Sequence, residues 1–501
     1  MSATGKGGRK SASDSAKPHR ASPARDLAWS AVLAALERRT FISDLLSERK
    51  DAADLSPRDA ALASTIARSA LRHGATIDAV LSSVADYEPR RVPAGLRAVL
   101  HVAATQILYL DRIPVSAAVN EAVSQARRVE SAAGSRMVNA LLRRLTGAIA
   151  ERRTVWLPDR FDLVRVSWRE ACRLDREVFR ISQDSGDELT RLAAMTGTPH
   201  ALLAELRPHV SPADLAAVAW ASQAQPPLVL HRNPQRLDAA GFEAAVRETL
   251  AEADAGSVEI EAAVEFAGAA AFVRADESSR VLPLLRNGSA YAQDATAHAI
   301  SLELRPAPGE KILDYCAAPG GKSLTLAFAT GADVSIVATD ISAARLRPLR
   351  QQVELHGLSD RIRVCSLDKE GRLIDDDARP FDAAIVDVPC SNTGVLARRP
   401  EARLRVDAAH TRSLRAAQLE ALCRAARAVR VGGRMIYSTC SIQPAENGEL
   451  VRAWLRREFP AGEENPGAWA LVRERLHLPR WGARLSDWRD GGYFAELVRG
   501  S

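Results

Sequence analysis

The sequence predicts a multi-domain protein: a helical bundle, a small α+β domain and a doubly wound α/β domain. Three observations support this prediction. The 501 residues exceed the size of one ordinary domain. Apolar residues recur at three- and four-residue spacing over residues 25–147, as they do along one face of a helix. From residue 305 onwards, short apolar strands alternate with loops and helices, which indicates a parallel sheet with helices on both faces.

The composition is typical of a globular protein of the cytoplasm. Hydrophobic residues make up 47% of the chain and charged residues 26%, enough apolar material for several cores. No apolar run approaches the roughly 18 residues of a membrane-spanning helix, and the first 25 residues lack the apolar core of a secretory signal. Six cysteines are scattered without a CxxC pair or a Cys/His cluster. We therefore expect no membrane span, no disulfide framework and no bound metal.

Residues 1–24 are predicted to be a disordered basic tail, because a segment of Ser, Gly, Lys and Arg cannot bury enough surface to order itself. Six basic side chains face Asp14 alone within residues 1–25, which gives this segment +5 of the chain's formal charge of +6. The tail is either a nonspecific phosphate-binding arm or a solubilising extension, and both interpretations are preferred to an organellar transit peptide.

Residues 25–147 are predicted to form a compact all-helical bundle, since short polar connections join their apolar helical segments. Ser56 and Pro57 suit the N-cap and the first position of one of these helices.

A linker and a small domain are predicted to follow the bundle. Residues 148–225 are predicted to be a helical linker region. In residues 226–295, short alternating segments at 228–233 and 271–273 predict strands, so this part is predicted to be a small α+β domain.

The α/β domain is predicted to span residues 296–501 and to bind its ligand where the strands end. Its strands are predicted at 311–316, 335–341, 362–367, 381–388 and 433–438. The first is followed by Cys316-Ala317-Ala318-Pro319-Gly320-Gly321-Lys322, where small residues let the backbone approach a ligand and the next helix offers free N–H groups. A phosphate-binding P-loop is excluded, because it needs a glycine where Cys316 stands.

Two acidic residues follow the next strands. Asp340 is placed to accept hydrogen bonds from ribose hydroxyls, and Asp368 to reach an adenine ring. A helix cap and an ordinary surface carboxylate are the respective alternatives. The pattern therefore predicts a nucleoside-containing cofactor.

Two cysteines follow the fourth and fifth strands, in Asp387-Val388-Pro389-Cys390 and Ser438-Thr439-Cys440. Each alone is more readily explained as a buried structural residue. The fourth and fifth strands are expected to be neighbours in such a sheet, however, so their ends bring both cysteines close to Asp387. Addition of a thiolate to C6 of a cytosine turns the ring into an enamine whose C5 can attack a sulfonium methyl. A protonated Asp387 can share its proton with N3 of the base, and a second thiol can assist release of the product.

These motifs resemble those of the RNA cytosine-C5 methyltransferase family, which includes the nucleolar proliferation antigens and the bacterial Sun/Fmu proteins. The resemblance covers residues 285–501 and implies a Rossmann-like class I methyltransferase domain that uses S-adenosylmethionine. It implies that Cys440 is the nucleophile and that Cys390 aids product release. Because DNA cytosine methyltransferases use the Pro-Cys residue instead, two cysteines favour RNA. The donor is expected to be surrounded by Cys316, Ala317, Ala318, Pro319, Gly320, Gly321, Lys322, Asp340, Asp368 and Asp387, with Lys322 and Asp387 also acting in catalysis.

The helical region resembles the RNA-binding domain of the NusB family, through the motifs at 108–114, 119–123 and 138–143. A packing module without RNA specificity is the alternative. With both regions together, the whole chain is similar to the bacterial RsmB type, which implies methylation of a cytosine of 16S ribosomal RNA. We expect the protein to be a monomer. A tRNA methyltransferase and a non-catalytic ribosome-assembly or antitermination factor stay open, although loss of catalysis predicts loss of Cys440 or Lys322, and both are present.

Overall fold

The computed structural model describes residues 22–38, 42, 45–46, 55–180, 188–252, 260–329, 333–368, 373, 380–458 and 467–500. Residues 1–21 of the predicted basic tail lie outside the described residues. No helix in the described part of the chain is long and apolar enough to cross a membrane.

The N-terminal part is the predicted helical bundle. Its helices are α1 (Pro23–Arg38), α2 (Pro57–Arg72), α3 (Gly74–Val84), α4 (Ala94–Tyr109), α5 (Val115–Val129) and α6 (Ala132–Ala148). The hydroxyl of Ser56 caps α2 by accepting a hydrogen bond from the Asp59 amide at 3.1 Å, as the sequence predicts. α4 is buried along almost its whole length, so the other helices pack around it.

The predicted helical linker is wrong for its first part, which forms a three-stranded antiparallel sheet in the order β1-β3-β2. Its strands are β1 (Ile149–Val155), β2 (Leu163–Arg165) and β3 (Glu170–Leu174), and helices α7 (Glu188–Thr196), α8 (His200–Leu206) and α9 (Pro212–Ala221) follow. β1 is polar and lacks an apolar alternation. Tertiary contacts hold it instead, since Arg152 and Arg153 each donate to a carbonyl near the end of α4 at 3.1 Å.

The predicted small α+β domain carries a four-stranded antiparallel sheet in the order β5-β6-β4-β7. Both predicted strands are present, as β4 and β6. The elements are β4 (Leu228–Arg232), α10 (Ala239–Glu252), α11 (Ile260–Ala263), β5 (Val264–Ala267), β6 (Ala270–Val273), α12 (Leu282–Arg286) and β7 (Ala290–Ala292).

The C-terminal domain is built on a seven-stranded sheet in the order β10-β9-β8-β11-β12-β14-β13. The strands are β8 (Lys311–Tyr315), β9 (Ser335–Asp340), β10 (Ile362–Ser366), β11 (Phe381–Asp387), β12 (Val429–Thr439), β13 (Trp469–His477) and β14 (Gly492–Arg499). The helices are α13 (Ala295–Leu302), α14 (Gly321–Ala329), α15 (Ala343–Leu355), α16 (Ala408–Ala428) and α17 (Gly448–Glu458).

All five predicted strands of this sheet are present and parallel. The sheet as a whole is mixed rather than parallel, because β13 and β14 add an antiparallel edge. β8, β11 and β12 are neighbours, so their carboxyl ends meet at one place, as expected for ligand binding.

The helical bundle is docked onto the C-terminal domain at a short 3₁₀ helix, Pro400–Arg405, and the residues just before it. Arg72 at the end of α2 donates to the carbonyl of Ala397 at 2.8 Å. Arg403 donates in return to the Arg72 carbonyl, and to the Ser222 carbonyl at 3.0 Å. Burial lowers the pKa of Arg72 to about 10 and that of Arg403 to about 9. This contact therefore joins the bundle to the chain segment that follows Cys390.

Candidate active site

A cleft of about 680 Å³ opens at the carboxyl ends of β8, β11 and β12. Seven of the predicted site residues line it: Ala317, Ala318, Pro319, Gly321, Lys322, Asp387 and Cys440. Five predicted site residues are not among the residues that line it: Cys316, Gly320, Asp340, Asp368 and Cys390.

The loop between β8 and α14 is shaped by glycine. Gly320 has a φ of +114°, and a Cβ atom there would lie 2.3 Å from Cδ1 of Leu349. A Cβ atom on Gly321 would lie 3.3 Å from Nε2 of Gln293. A side chain is therefore excluded at position 320, and at position 321 it would require the Gln293 side chain to shift by a few tenths of an ångström. The backbone at the start of α14 can thus approach a ligand closely.

Asp340 ends β9 and is almost completely buried, with 1% of its surface exposed. Its Oδ1 accepts a hydrogen bond from the Ser342 amide at 2.9 Å, so part of the helix-cap alternative is correct. Its Oδ2 lies 3.2 Å from Nη1 of Arg345 but has no hydrogen bond within the described residues. A buried carboxylate oxygen without a hydrogen bond is unusual and suits a ligand hydroxyl.

Asp368 lies two residues beyond β10, the strand that pairs with β9. The register places Ser366 opposite Asp340, so Asp368 follows β10 at the carboxyl ends of the strands, where Asp340 also lies. Its predicted contact with an adenine ring stays a prediction.

Lys322 and Asp387 form an ion pair inside the cleft, with Nζ and Oδ2 3.1 Å apart. The Ser438 hydroxyl also donates to Oδ1 of Asp387 at 2.9 Å. Burial alone lowers the pKa of Lys322, but the negative charges of Asp387 and Asp314 outweigh it and raise that pKa. The raised pKa keeps Lys322 protonated, so Lys322 holds a proton that this pair can supply. The predicted transfer of a proton from Asp387 to a base stays a prediction.

The two predicted cysteines are in contact. Both are free thiols, and their Sγ atoms lie 2.9 Å apart. Cys440 lines the cleft, whereas Cys390 is buried behind it. The hydrogen bond to Cys440, together with burial, raises the pKa of Cys390 well above its ordinary value. Cys390 is therefore held as a protonated thiol that can donate to Cys440, and Cys440 is the sulfur that a substrate can reach.

Glu446 is a site residue that the sequence does not predict. It is completely buried, and its Oε1 accepts from the Ser391 amide at 3.0 Å and from Nε2 of Gln418 at 2.8 Å. Its Oε2 accepts from the hydroxyls of Ser391 and Ser441, both at 2.5 Å. Ser391 follows Cys390 and Ser441 follows Cys440, so one carboxylate holds both cysteine loops together. The only sequence feature that points to it is its position six residues after Cys440.

Replacement of Glu446 by glutamine is expected to separate the two cysteine loops, because an amide offers a single acceptor oxygen where the carboxylate accepts from four donors. A misplacement of about 1 Å can cost about 100-fold in rate, so we expect methyl transfer to fall by about that factor. The measurement is single-turnover methyl transfer. Glu449→Gln, an exposed neighbour, is the control and is expected to behave as the unchanged protein.

The N-terminal and C-terminal parts of the chain match two different protein families. Residues 301–464 match the family described as 16S rRNA methyltransferase RsmB/F. The C-terminal domain is therefore similar to the RsmB/F methyltransferases. Residues 22–147, which contain the helical bundle, match the NusB family. The predicted resemblances of both domains are therefore confirmed.

Relatives named as small-subunit ribosomal RNA methyltransferases match this chain over most of its length. The chain is 27% identical to "Ribosomal RNA small subunit methyltransferase B" of Pseudomonas putida, over 94% of this chain and 97% of the relative. It is 28% identical to "Probable ribosomal RNA small subunit methyltransferase B" of Synechocystis, over 86% of this chain and 89% of the relative. The crystal structure of PH0851 has the same fold, with a TM-score of 0.65 and 19% identity over 95% of this chain and 98% of that one.

Proposed function

We propose that this protein transfers a methyl group from S-adenosylmethionine to C5 of a cytosine in 16S ribosomal RNA, through a covalent bond between Cys440 and C6. The pair of free thiols, 2.9 Å apart with one of them open to the cleft, carries this proposal. The names of the RsmB/F relatives support a small-subunit ribosomal RNA as substrate. RNA as the partner, action in the cytoplasm and a monomeric state belong to the same proposal.

The residues around the β8 loop fit the proposed donor. Gly320 and Gly321 let the backbone of the loop approach the donor, and Oδ2 of Asp340, which lies beside Arg345 but accepts no hydrogen bond from the described residues, can accept one from a ribose hydroxyl. Asp368 belongs to the same edge of the sheet, at the predicted place for the adenine. S-adenosylmethionine supplies an electrophilic methyl group on a sulfonium.

Asp340→Ala is expected to weaken S-adenosylmethionine binding by about 1–3 kcal/mol, the size expected for lost hydrogen bonds to a charged group. Calorimetric titration measures it, with the exposed carboxylate variant Asp360→Ala as the matched control. An unchanged donor affinity in Asp340→Ala would remove this residue from the site.

The proposed reaction begins with the thiolate of Cys440, the cysteine that lines the cleft. The thiolate adds to C6 of the cytosine, and N3 takes up a proton from the Lys322–Asp387 pair. C5 would then attack the methyl carbon of the donor, and the bond between that carbon and the sulfonium sulfur would break, so that the donor leaves as a neutral thioether.

Release follows by elimination. Water in the open cleft takes the proton from C5, and the bond between C6 and Sγ breaks with its electron pair passing to the Cys440 sulfur. The ring regains its aromaticity, and N3 returns its proton to the Lys322–Asp387 pair. The Cys390 thiol donates a hydrogen bond to the departing Cys440 sulfur and stabilises its negative charge. The two cysteines thus have separate parts, and the burial of Cys390 agrees with the part given to it.

Bisulfite sequencing of total RNA from a deletion strain tests this function. We expect one cytosine of 16S ribosomal RNA to lose its methyl group and to regain it when the unchanged gene, but not Cys440→Ala, is restored. Loss of methylation in a tRNA instead would establish the tRNA alternative. Unchanged methylation of every RNA would favour a non-catalytic assembly or antitermination factor.

A further inference from the structure

A second cavity, of about 300 Å³, lies where the helical bundle, the three-stranded sheet, the small α+β domain and the segment before β14 meet. We propose that this cavity binds a nucleobase of the RNA substrate other than the cytosine that is methylated. The proposal rests on the proposed function, since it concerns the same RNA.

The walls of this cavity are rich in aromatic side chains. Aromatic residues make up 5% of the chain, yet three of its eight tryptophans, Trp168, Trp481 and Trp488, line the cavity. His73 and Tyr109 line it as well, with their rings stacked 3.8 Å apart. Single-stranded RNA is bound mainly by stacking of its bases on aromatic rings, so this concentration favours a base as the ligand.

Arginine is interleaved with these rings. Residues 479–489 carry Arg480, Arg484 and Arg489 around Trp481 and Trp488, against Asp487 alone. Arg484 lines the cavity and is 71% exposed. Its ion pair with Asp487 lies at the surface, where such pairs are weak, so a phosphate of the RNA can compete for it. Aromatic rings beside exposed guanidinium groups are the combination that a nucleotide requires.

Buried polar atoms of the lining residues have no partner. Nε of Arg72, Oη of Tyr109 and Nε1 of Trp488 have no hydrogen bond within the described residues, and all three side chains are more than nine-tenths buried. Such atoms are rare in folded proteins and point to a polar ligand or to water. All three can donate, which matches the carbonyl oxygens and ring nitrogens of a base.

Arg165 fixes two of the tryptophans. Its guanidinium carbon lies 4.4 Å from the ring centre of Trp481 and 4.9 Å from that of Trp168. Cation–π contacts of this kind hold the rings in place, so this wall is formed before any RNA binds.

Contacts between lining residues connect this cavity with the catalytic cleft. Arg398 lines the cleft, donates to the Pro227 carbonyl at 3.0 Å and lies 6.0 Å from the ring of Trp488. Pro227 and Trp488 line the cavity on the other side. An RNA strand with its cytosine in the cleft therefore passes close to the cavity, which can hold a base near the methylated one.

Ultraviolet crosslinking of the full-length protein to unmethylated 16S ribosomal RNA, followed by mass spectrometry, tests the proposal. We expect nucleotides attached to peptides containing Trp168 or residues 481–488, and to peptides from the catalytic cleft. Crosslinks at the cleft without any at the cavity would overturn the nucleobase site. Absence of both, with no methylation of this RNA, would instead count against the proposed function.

Two variants and a competition complete the test. Trp481→Leu is expected to weaken RNA binding by about 5- to 150-fold, the range for one stacked base, at an unchanged melting temperature. Trp481→Phe keeps an aromatic plane and is expected to bind nearly as the unchanged protein does. Equal RNA affinity in both variants overturns the proposal. Excess AMP and CMP are expected to leave the RNA crosslinks in place, and attachment of free nucleotides alone would contradict an RNA base as the ligand.

Discussion

Cys440→Ala is expected to abolish methyl transfer, with a loss of about 10⁴-fold or more, as for removal of other covalent nucleophiles. Cys440 is the thiol that lines the cleft, and Cys390, buried behind it and held protonated, cannot take its place. The measurement is transfer of labelled methyl groups from S-adenosylmethionine to transcribed 16S ribosomal RNA. Donor binding should stay within about threefold, because donor contacts are predicted at the ends of β8 and β9.

Cys423→Ala is the matched control for this variant. Cys423 is a free, half-buried cysteine on α16 of the same domain and lies outside the cleft lining. It is expected to retain full activity. Methylation by Cys440→Ala at a rate close to that of Cys423→Ala would show that this sulfur is not the nucleophile.

Removal of residues 1–147 is expected to reduce methylation of 16S ribosomal RNA by about 100-fold or more. The bundle is predicted to bind RNA. It packs on residues 397–405, a segment that includes Arg398 and Arg399 of the cleft wall. Without α2, the buried Arg403 loses one of its partners, the Arg72 carbonyl, and keeps the Ser222 carbonyl. An unsatisfied donor on a buried guanidinium is costly. Donor affinity should change little, because the loop at 316–322 belongs to the other side of the cleft.

Calorimetric titration with S-adenosylmethionine, alongside methylation assays, separates these effects. Arg403→Met in the full-length chain is the companion variant, since it breaks the contact while the bundle is kept. We expect a smaller loss of methylation from it than from the deletion. Equal methylation by the truncated and full-length proteins would reduce the bundle to a packing role.

The strands that carry the motifs can be predicted from the sequence, because their local sequence pattern agrees with their place in the tertiary structure. β8, β9 and β11 are buried apolar runs that end in loops, and their neighbouring order with β12 predicts that Cys390 and Cys440 meet. The glycines at 320 and 321 are likewise explained by the space that the fold leaves for them.

Other features depend on contacts that no local pattern shows. β1 is a polar strand held by arginine contacts to α4. β13 has four apolar residues followed by the three charged residues 473–475, without an apolar alternation, and lies at the edge of the sheet. Glu446 gains its importance only when two loops 50 residues apart fold against it. The ion pair between Lys322 and Asp387 depends on the packing of α14, which carries Lys322.

The division of labour between the two cysteines is the central claim, and trapping of a covalent RNA complex tests it most directly. Cys390→Ala protein is incubated with S-adenosylmethionine and 16S ribosomal RNA and is then run on a denaturing gel. We expect a protein–RNA band that contains methylated cytosine, because addition and methyl transfer proceed while elimination stalls. This band should disappear when Cys440 is also replaced. A band that forms in Cys440→Ala and is absent from Cys390→Ala would contradict the account, since the nucleophile would then be Cys390.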